Sequence, residues 1–160
     1  MSKSTAIMTH LHRIPSVSPE PTVPCETLLG LRVVVVDDDA DAAGAIARHL
    51  TAGGAQVLVC LGSEAAVAAW SSFRPHAMLV EPHLPGMDGF ALARWVRQQS
   101  GGTRALLTAV SVLGGREAVW QAVAAGYDVH LGKPADPKAM IALVAGFCFK
   151  LRLDSGLAAF

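Results

Sequence analysis

Cysteine is scarce in this chain and poorly placed for cross-linking. Cys25, Cys60 and Cys148 are odd in number, far apart and without a CxxC pair, which argues against both a disulfide framework and a zinc ligand set. A reducing compartment suits such a chain, and a cytoplasmic location is the expectation. Charge is scarce too, at 16% of residues, with 13 basic and 13 acidic side chains cancelling. A balance of that kind leaves no basic excess to attract nucleic acid or an anionic membrane, so direct binding to either is not expected. No apolar run reaches the roughly 18 to 20 residues that span a bilayer. The amino terminus also lacks a basic stretch followed by an apolar export segment.

Apolar surface, by contrast, is plentiful. Hydrophobic residues make up 52% of 160 residues and 16.7 kDa, enough for one domain with a single sizeable core and short tails. Residues 1–30 are rich in Ser, Thr and Pro, with prolines at 15, 19, 21 and 24. That composition cannot bury enough surface to offset the entropy of ordering it, so a flexible tail is expected there. His10 and His12 fall in this tail with no further ligand nearby, and a metal site is not inferred from them.

From Leu31 the pattern changes to short apolar runs alternating with alanine-rich helical stretches. Val33 to Val36 is an unbroken β-branched run, as in a central parallel strand covered on both faces. A helix follows from Asp39-Ala40-Asp41 to about Thr51, ended by Gly53-Gly54. Gln56 to Cys60 reads as a second strand, and Ser63-Glu64 opens a second helix carrying Val67, Trp70 and Phe73. Ala77 to Val80 is a third strand, Phe90 to Gln98 a third helix, and Ala105 to Val110 a fourth strand. Glu117 to Ala125 is a fourth helix stopped by Gly126, and Val129 to Leu131 a short fifth strand. The last helix opens on Asp136-Pro137, with Asp at the N-cap and Pro in the first turn, and runs to about Lys150. Five strand-helix units in series predict an α/β fold with a doubly wound parallel sheet and right-handed crossovers. The predicted folded domain is 31–150, with 151–160 as a second tail.

Ligands in such sheets sit beyond the carboxyl ends of the strands, and the chemistry of this chain collects there. Asp37, Asp38 and Asp39 follow the first strand, and adjacent acids at a buried strand end are costly unless a cation or solvent compensates them. One reading is a magnesium site of one or two carboxylates completed by water. The plainer reading is a solvated turn with Asp39 or Asp41 as the helix cap. Glu81 ends the third strand and begins the segment Glu81-Pro82-His83-Leu84-Pro85-Gly86-Met87-Asp88-Gly89, and Gly132-Lys133-Pro134 follows the fifth strand.

Taken in order, Val35-Val36-Asp37-Asp38-Asp39, the Pro85-Gly86-Met87-Asp88-Gly89 loop and Lys133-Pro134 resemble the receiver domains of two-component response regulators. The resemblance runs from Leu31 to about Phe147. It implies a flavodoxin-like five-stranded sheet with strand order 2-1-3-4-5. It also implies an acidic pair at Asp37 and Asp38 able to hold magnesium, a phosphoacceptor position at Glu81, and a switch hydroxyl and lysine at Ser111 and Lys133. Counting forward from Gly89 and back from Lys133 places that hydroxyl at Ser111 rather than Thr108, which belongs within the strand. His130 takes the place of the fifth-strand aromatic, as a structural histidine or a titratable ring. Trp120 and Tyr127 are read as packing residues, with Trp120 an interface candidate where exposed. Asp88 is read as an N-cap of the third helix rather than a substitute acceptor. Glu81-x-His83-x-x-Gly86 also partly resembles the Asp-x-His-x-x-Gly signature of cobalamin-binding domains, but the loop that continues it is receiver-like.

The departure is Glu81, where receivers carry aspartate. Glutamate moves its carboxylate about 1.5 Å outward, and a misplacement of about 1 Å costs in-line attack on the order of a hundredfold. Two outcomes stay open: the longer side chain reaches Lys133 and Ser111 as a partial imitation of phosphoaspartate, partial because a phosphoryl group brings about −1.5 to −2 of charge against −1, or Glu81 pairs with Lys133 and serves only as structure. The expectation is therefore a stand-alone atypical receiver with no enzymatic activity and at most weak magnesium affinity. It would signal through a protein partner such as a histidine kinase, another regulator or an effector. A working phosphorelay receiver and an inert adaptor are the alternatives.

Overall fold

The computed structural model describes residues 28–112 and 114–154. Its elements alternate strictly: β1 (Arg32–Val36), α1 (Ala40–Ala52), β2 (Gln56–Cys60), α2 (Ser63–Phe73), β3 (Ala77–Val80), α3 (Gly89–Gln98), β4 (Leu106–Ser111), α4 (Arg116–Ala125), β5 (Val129–Gly132) and α5 (Pro137–Asp154). The strands form one parallel sheet in the order β2-β1-β3-β4-β5. The five strand-helix units predict the parallel sheet, and its order is the flavodoxin-like one that the receiver resemblance implies.

The apolar runs explain why three strands sit at the centre. Side chains of a strand alternate between faces, so Val33 and Val35 join Leu79, Leu106 and Val110 in the core beneath α1 and α5. Val34 and Val36 join Met78, Val80 and Leu107 in the core beneath α2, α3 and α4. Each fully buried valine or leucine contributes about 1.5–3 kcal/mol, and a strand that buries both rows has one stable place, between two others.

Helix boundaries follow the capping chemistry. Asp39 accepts hydrogen bonds from the Asp41 and Ala42 amides, Asp88 from Ala91, and Asp136 from Ala139. Gly126 ends α4 in the left-handed region at φ 109°. Both expected domain edges move outward. Leu28, assigned by the sequence to the tail, is fully buried against Gly53, whose carbonyl accepts its amide at 2.8 Å. At the other end α5 continues to Asp154 rather than stopping near Lys150. The rest of both expected tails, including His10 and His12, lies outside the described residues.

Candidate functional site

Parallel order brings the ends of β1, β3 and β5 side by side. Asp37 continues the β1 ladder through its amide, which donates to the Cys60 carbonyl, and its side chain is buried. One carboxylate oxygen accepts the Asp39 amide at 3.0 Å; the other accepts the Lys133 ammonium at 2.5 Å. Glu81 extends β3 through its amide, bonded to the Val36 carbonyl. Its Oε1 accepts the His83 amide at 2.9 Å and its Oε2 the Lys133 ammonium at 3.0 Å. Lys133 is thus the bridge between the two carboxylates, and its own amide is fixed on the Ser111 carbonyl.

Burial pulls the Lys133 pKa down, but hydrogen bonds to Asp37 and Glu81 and their charges together outweigh it, and the net shift is upward. The lysine is held charged. Ser111 is buried at the last position of β4, paired in register with Gly132. His130 is half-buried in β5 opposite Ala109, and Asp38 points into solvent. Thr108 lies inside β4, its hydroxyl buried without a hydrogen-bond partner.

Magnesium needs near-octahedral oxygen ligands at about 2.0–2.1 Å. Here the space between Asp37 and Glu81 is bridged by an ammonium within hydrogen-bonding distance of both. Among the described residues no group of three or more His, Cys, Asp or Glu side chains is disposed to hold a metal ion. As arranged, the Lys133 ammonium occupies the position between the two carboxylates.

Three contacts escape a linear reading. Glu64, at the start of α2, accepts the Met87 amide at 3.2 Å and so holds the loop after Glu81 from across the sheet edge. Backbone hydrogen bonds lower its pKa, first its own amide's and then that of Met87. Tyr127 is buried and donates its hydroxyl to the Gly89 carbonyl at 2.6 Å. At the opposite end of the sheet, Arg97 binds three backbone carbonyls and Asp128. No local motif marks any of these; an acid in a helix's first turn and a tyrosine after a capping glycine were the signals available.

The outer face of α4 is apolar: Val119, Trp120 and Val123 are exposed, Trp120 by 71%. Helical spacing turns Ala118, Ala122 and Ala125 inward and these three outward. Val112, just after β4, is exposed as well.

The fold and this carboxyl-end site define a two-component signalling module. A family model described as the response regulator receiver domain matches residues 33–145, and the chain belongs to that family. It is 34% identical over 117 residues to the DNA-binding response regulator MtrA of Mycolicibacterium paratuberculosis, covering 71% of this chain and 49% of that protein. The chain thus spans about half the length of that relative. It is 29% identical over 130 residues to an uncharacterised 14.6 kDa protein from the sodA1 3′ region of Leptolyngbya boryana, covering 81% of this chain and 99% of the other. Among solved structures it resembles the chemotaxis response regulator CheY4 of Vibrio cholerae, with a TM-score of 0.68 and 21% identity over 73% of this chain and 98% of that one. A two-component response regulator from Clostridium difficile has a TM-score of 0.70 at 19% identity, covering 76% of this chain and 98% of that one. These two likenesses speak to fold alone. Receiver domains interact with histidine kinases and other regulators. No helix among the described residues is long and apolar enough to cross a membrane.

Proposed function

We propose that this chain is an atypical receiver that signals by protein contact without phosphoryl transfer. The observation that carries this reading is Glu81 at the acceptor position, its carboxylate joined to Lys133 at 3.0 Å. Phosphoryl transfer asks the lysine to meet the incoming phosphoryl oxygens while an acid attacks in line. Here the lysine is committed to the acid itself. Magnesium binding is weak on this reading, because a divalent cation must first displace an ammonium that two carboxylates hold. The partner is a protein, a histidine kinase, a further regulator or an effector in the cytoplasm. Its docking surface is the exposed apolar face of α4 around Trp120, where a large aromatic is well suited to anchor an interface.

Acetyl phosphate supplied with magnesium tests the chemistry. Intact mass under mild conditions is expected to show no added phosphoryl group on the native chain, and Glu81→Asp is expected to gain one. A phosphorylated native chain would favour the phosphorelay reading instead. Partner affinity in the Glu81→Ala variant, with urea midpoints as folding control, separates a phosphomimic from an inert adaptor. A five- to thirty-fold loss of affinity, about 1–2 kcal/mol, is expected of the phosphomimic, and unchanged affinity of the adaptor.

A further inference from the structure

We propose that Tyr127 is a positioning residue that couples the Glu81 loop to α4 through the Gly89 carbonyl. Gly89 is wedged against the residues that follow the site. A Cβ there would lie 2.7 Å from the Glu81 carbonyl oxygen and from the Pro82 Cα, and 3.0 Å from the Tyr127 hydroxyl. Contacts that close to backbone leave no slack. The Gly89 amide donates to Pro82 O at 2.8 Å, and its carbonyl accepts Tyr127 Oη at 2.6 Å. Tyr127 in turn follows the Gly126 cap directly, and its own amide donates to the Ala122 carbonyl in the last turn of α4. From Glu81 to α4 there is therefore an unbroken line of peptide and hydrogen bonds.

A second line of contacts runs beside it. The His83 amide is held by Glu81, the His83 ring meets Phe90 edge-on at 5.6 Å, and Phe90 meets Tyr127 edge-on at 6.4 Å. Both lines converge on Tyr127. Burial, with the charges of Asp88 and Glu81, pushes the tyrosine pKa far above its ordinary value, so the hydroxyl stays a donor throughout the neutral range. A rigid, buried donor that joins the site loop to the helix bearing Trp120 is placed to pass a displacement of Glu81 on to that helix.

Contiguity alone does not establish coupling, so the test is a double-mutant cycle. Its functional meaning rests on the α4 reading above, but its readout needs no partner. Amide hydrogen exchange over α4 is measured in the full chain for the native protein, Glu81→Ala, Tyr127→Phe and both together. Tyr127→Phe keeps the ring against Phe90 and removes only the hydroxyl. Glu81→Ala is expected to speed α4 exchange about fivefold, the low end of ordinary coupling energies, and to have no further effect once Tyr127 is Phe. An equal increase from Glu81→Ala in both backgrounds, or none in either, overturns the proposal. A coupled α4 with unchanged partner binding would leave Tyr127 in its role and reject α4 as the docking face.

Discussion

The two ends of the sheet hold their cations in opposite ways. At the amino ends Arg97 uses a planar fork: Nε on Gly126 O, Nη1 on the carbonyls of Gly102 and Ala105, and Nη2 on Asp128 at 2.8 Å. Asp128 is itself fixed by the Leu107 amide. Three of those partners are neutral carbonyls, and one acid balances one base. At the carboxyl ends Lys133 is a point charge shared by two acids, which leaves the trio with a net negative charge. A guanidinium satisfied by fixed backbone groups is part of the frame, whereas an ammonium between two carboxylates is held by two charge-assisted hydrogen bonds to side chains that can exchange partners. Ion pairs of similar length can thus belong to different parts of a protein's task.

Removing each cation breaks this comparison where it is sharpest. Arg97→Ala takes this donor from the Gly126, Gly102 and Ala105 carbonyls and leaves Asp128 only the Leu107 amide, and a loss of about 3 kcal/mol is expected from urea unfolding. Arg97→Lys should recover little, because one ammonium cannot reproduce the fork. Lys133→Met leaves two largely buried acids facing each other, and a loss of about 2 kcal/mol is expected, smaller because two acceptors rather than four lose a donor. Adding Glu81→Gln to Lys133→Met should restore part of it by removing one uncompensated charge. If the double variant is no more stable than Lys133→Met alone, charge repulsion is not what Lys133 relieves.

Much of this arrangement was legible in the sequence, and the rest was not for a definite reason. Strands announced themselves because Val33 to Val36 and Ala77 to Val80 are apolar on both faces, and the caps because Asp39, Asp88 and Asp136 precede helical runs. The convergence of Asp37, Glu81 and Lys133 followed once strand order was known. Contacts such as Glu64 to Met87, Tyr127 to Gly89 and the Arg97 fork join residues whose separation has no period and whose neighbours carry no motif. Leu28 was missed because proline-rich composition outweighed one apolar residue that fills the space beside Gly53.

The smallest effect expected is in alkali, where it separates Lys133 from Tyr127. Both groups have folded pKa values above their ordinary 10.5 and 10.0. A raised folded pKa means that the fold favours the protonated form. The stability each contributes is therefore complete below its ordinary value and is lost as pH rises through the folded one. The Lys133 shift opposes burial against two acids, while the Tyr127 shift is driven by burial and reinforced by Asp88 and Glu81. Tyr127 should account for more of the alkaline slope. The sequence contains one tyrosine, so phenolate absorbance reports this hydroxyl alone, and it is expected to appear only together with unfolding. Urea midpoints measured from pH about 9 to 11, either side of the ordinary values, should fall less steeply in Tyr127→Phe than in Lys133→Met. Phenolate absorbance rising ahead of unfolding would show that Gly89 does not hold the hydroxyl, and would weaken the coupling through it as well.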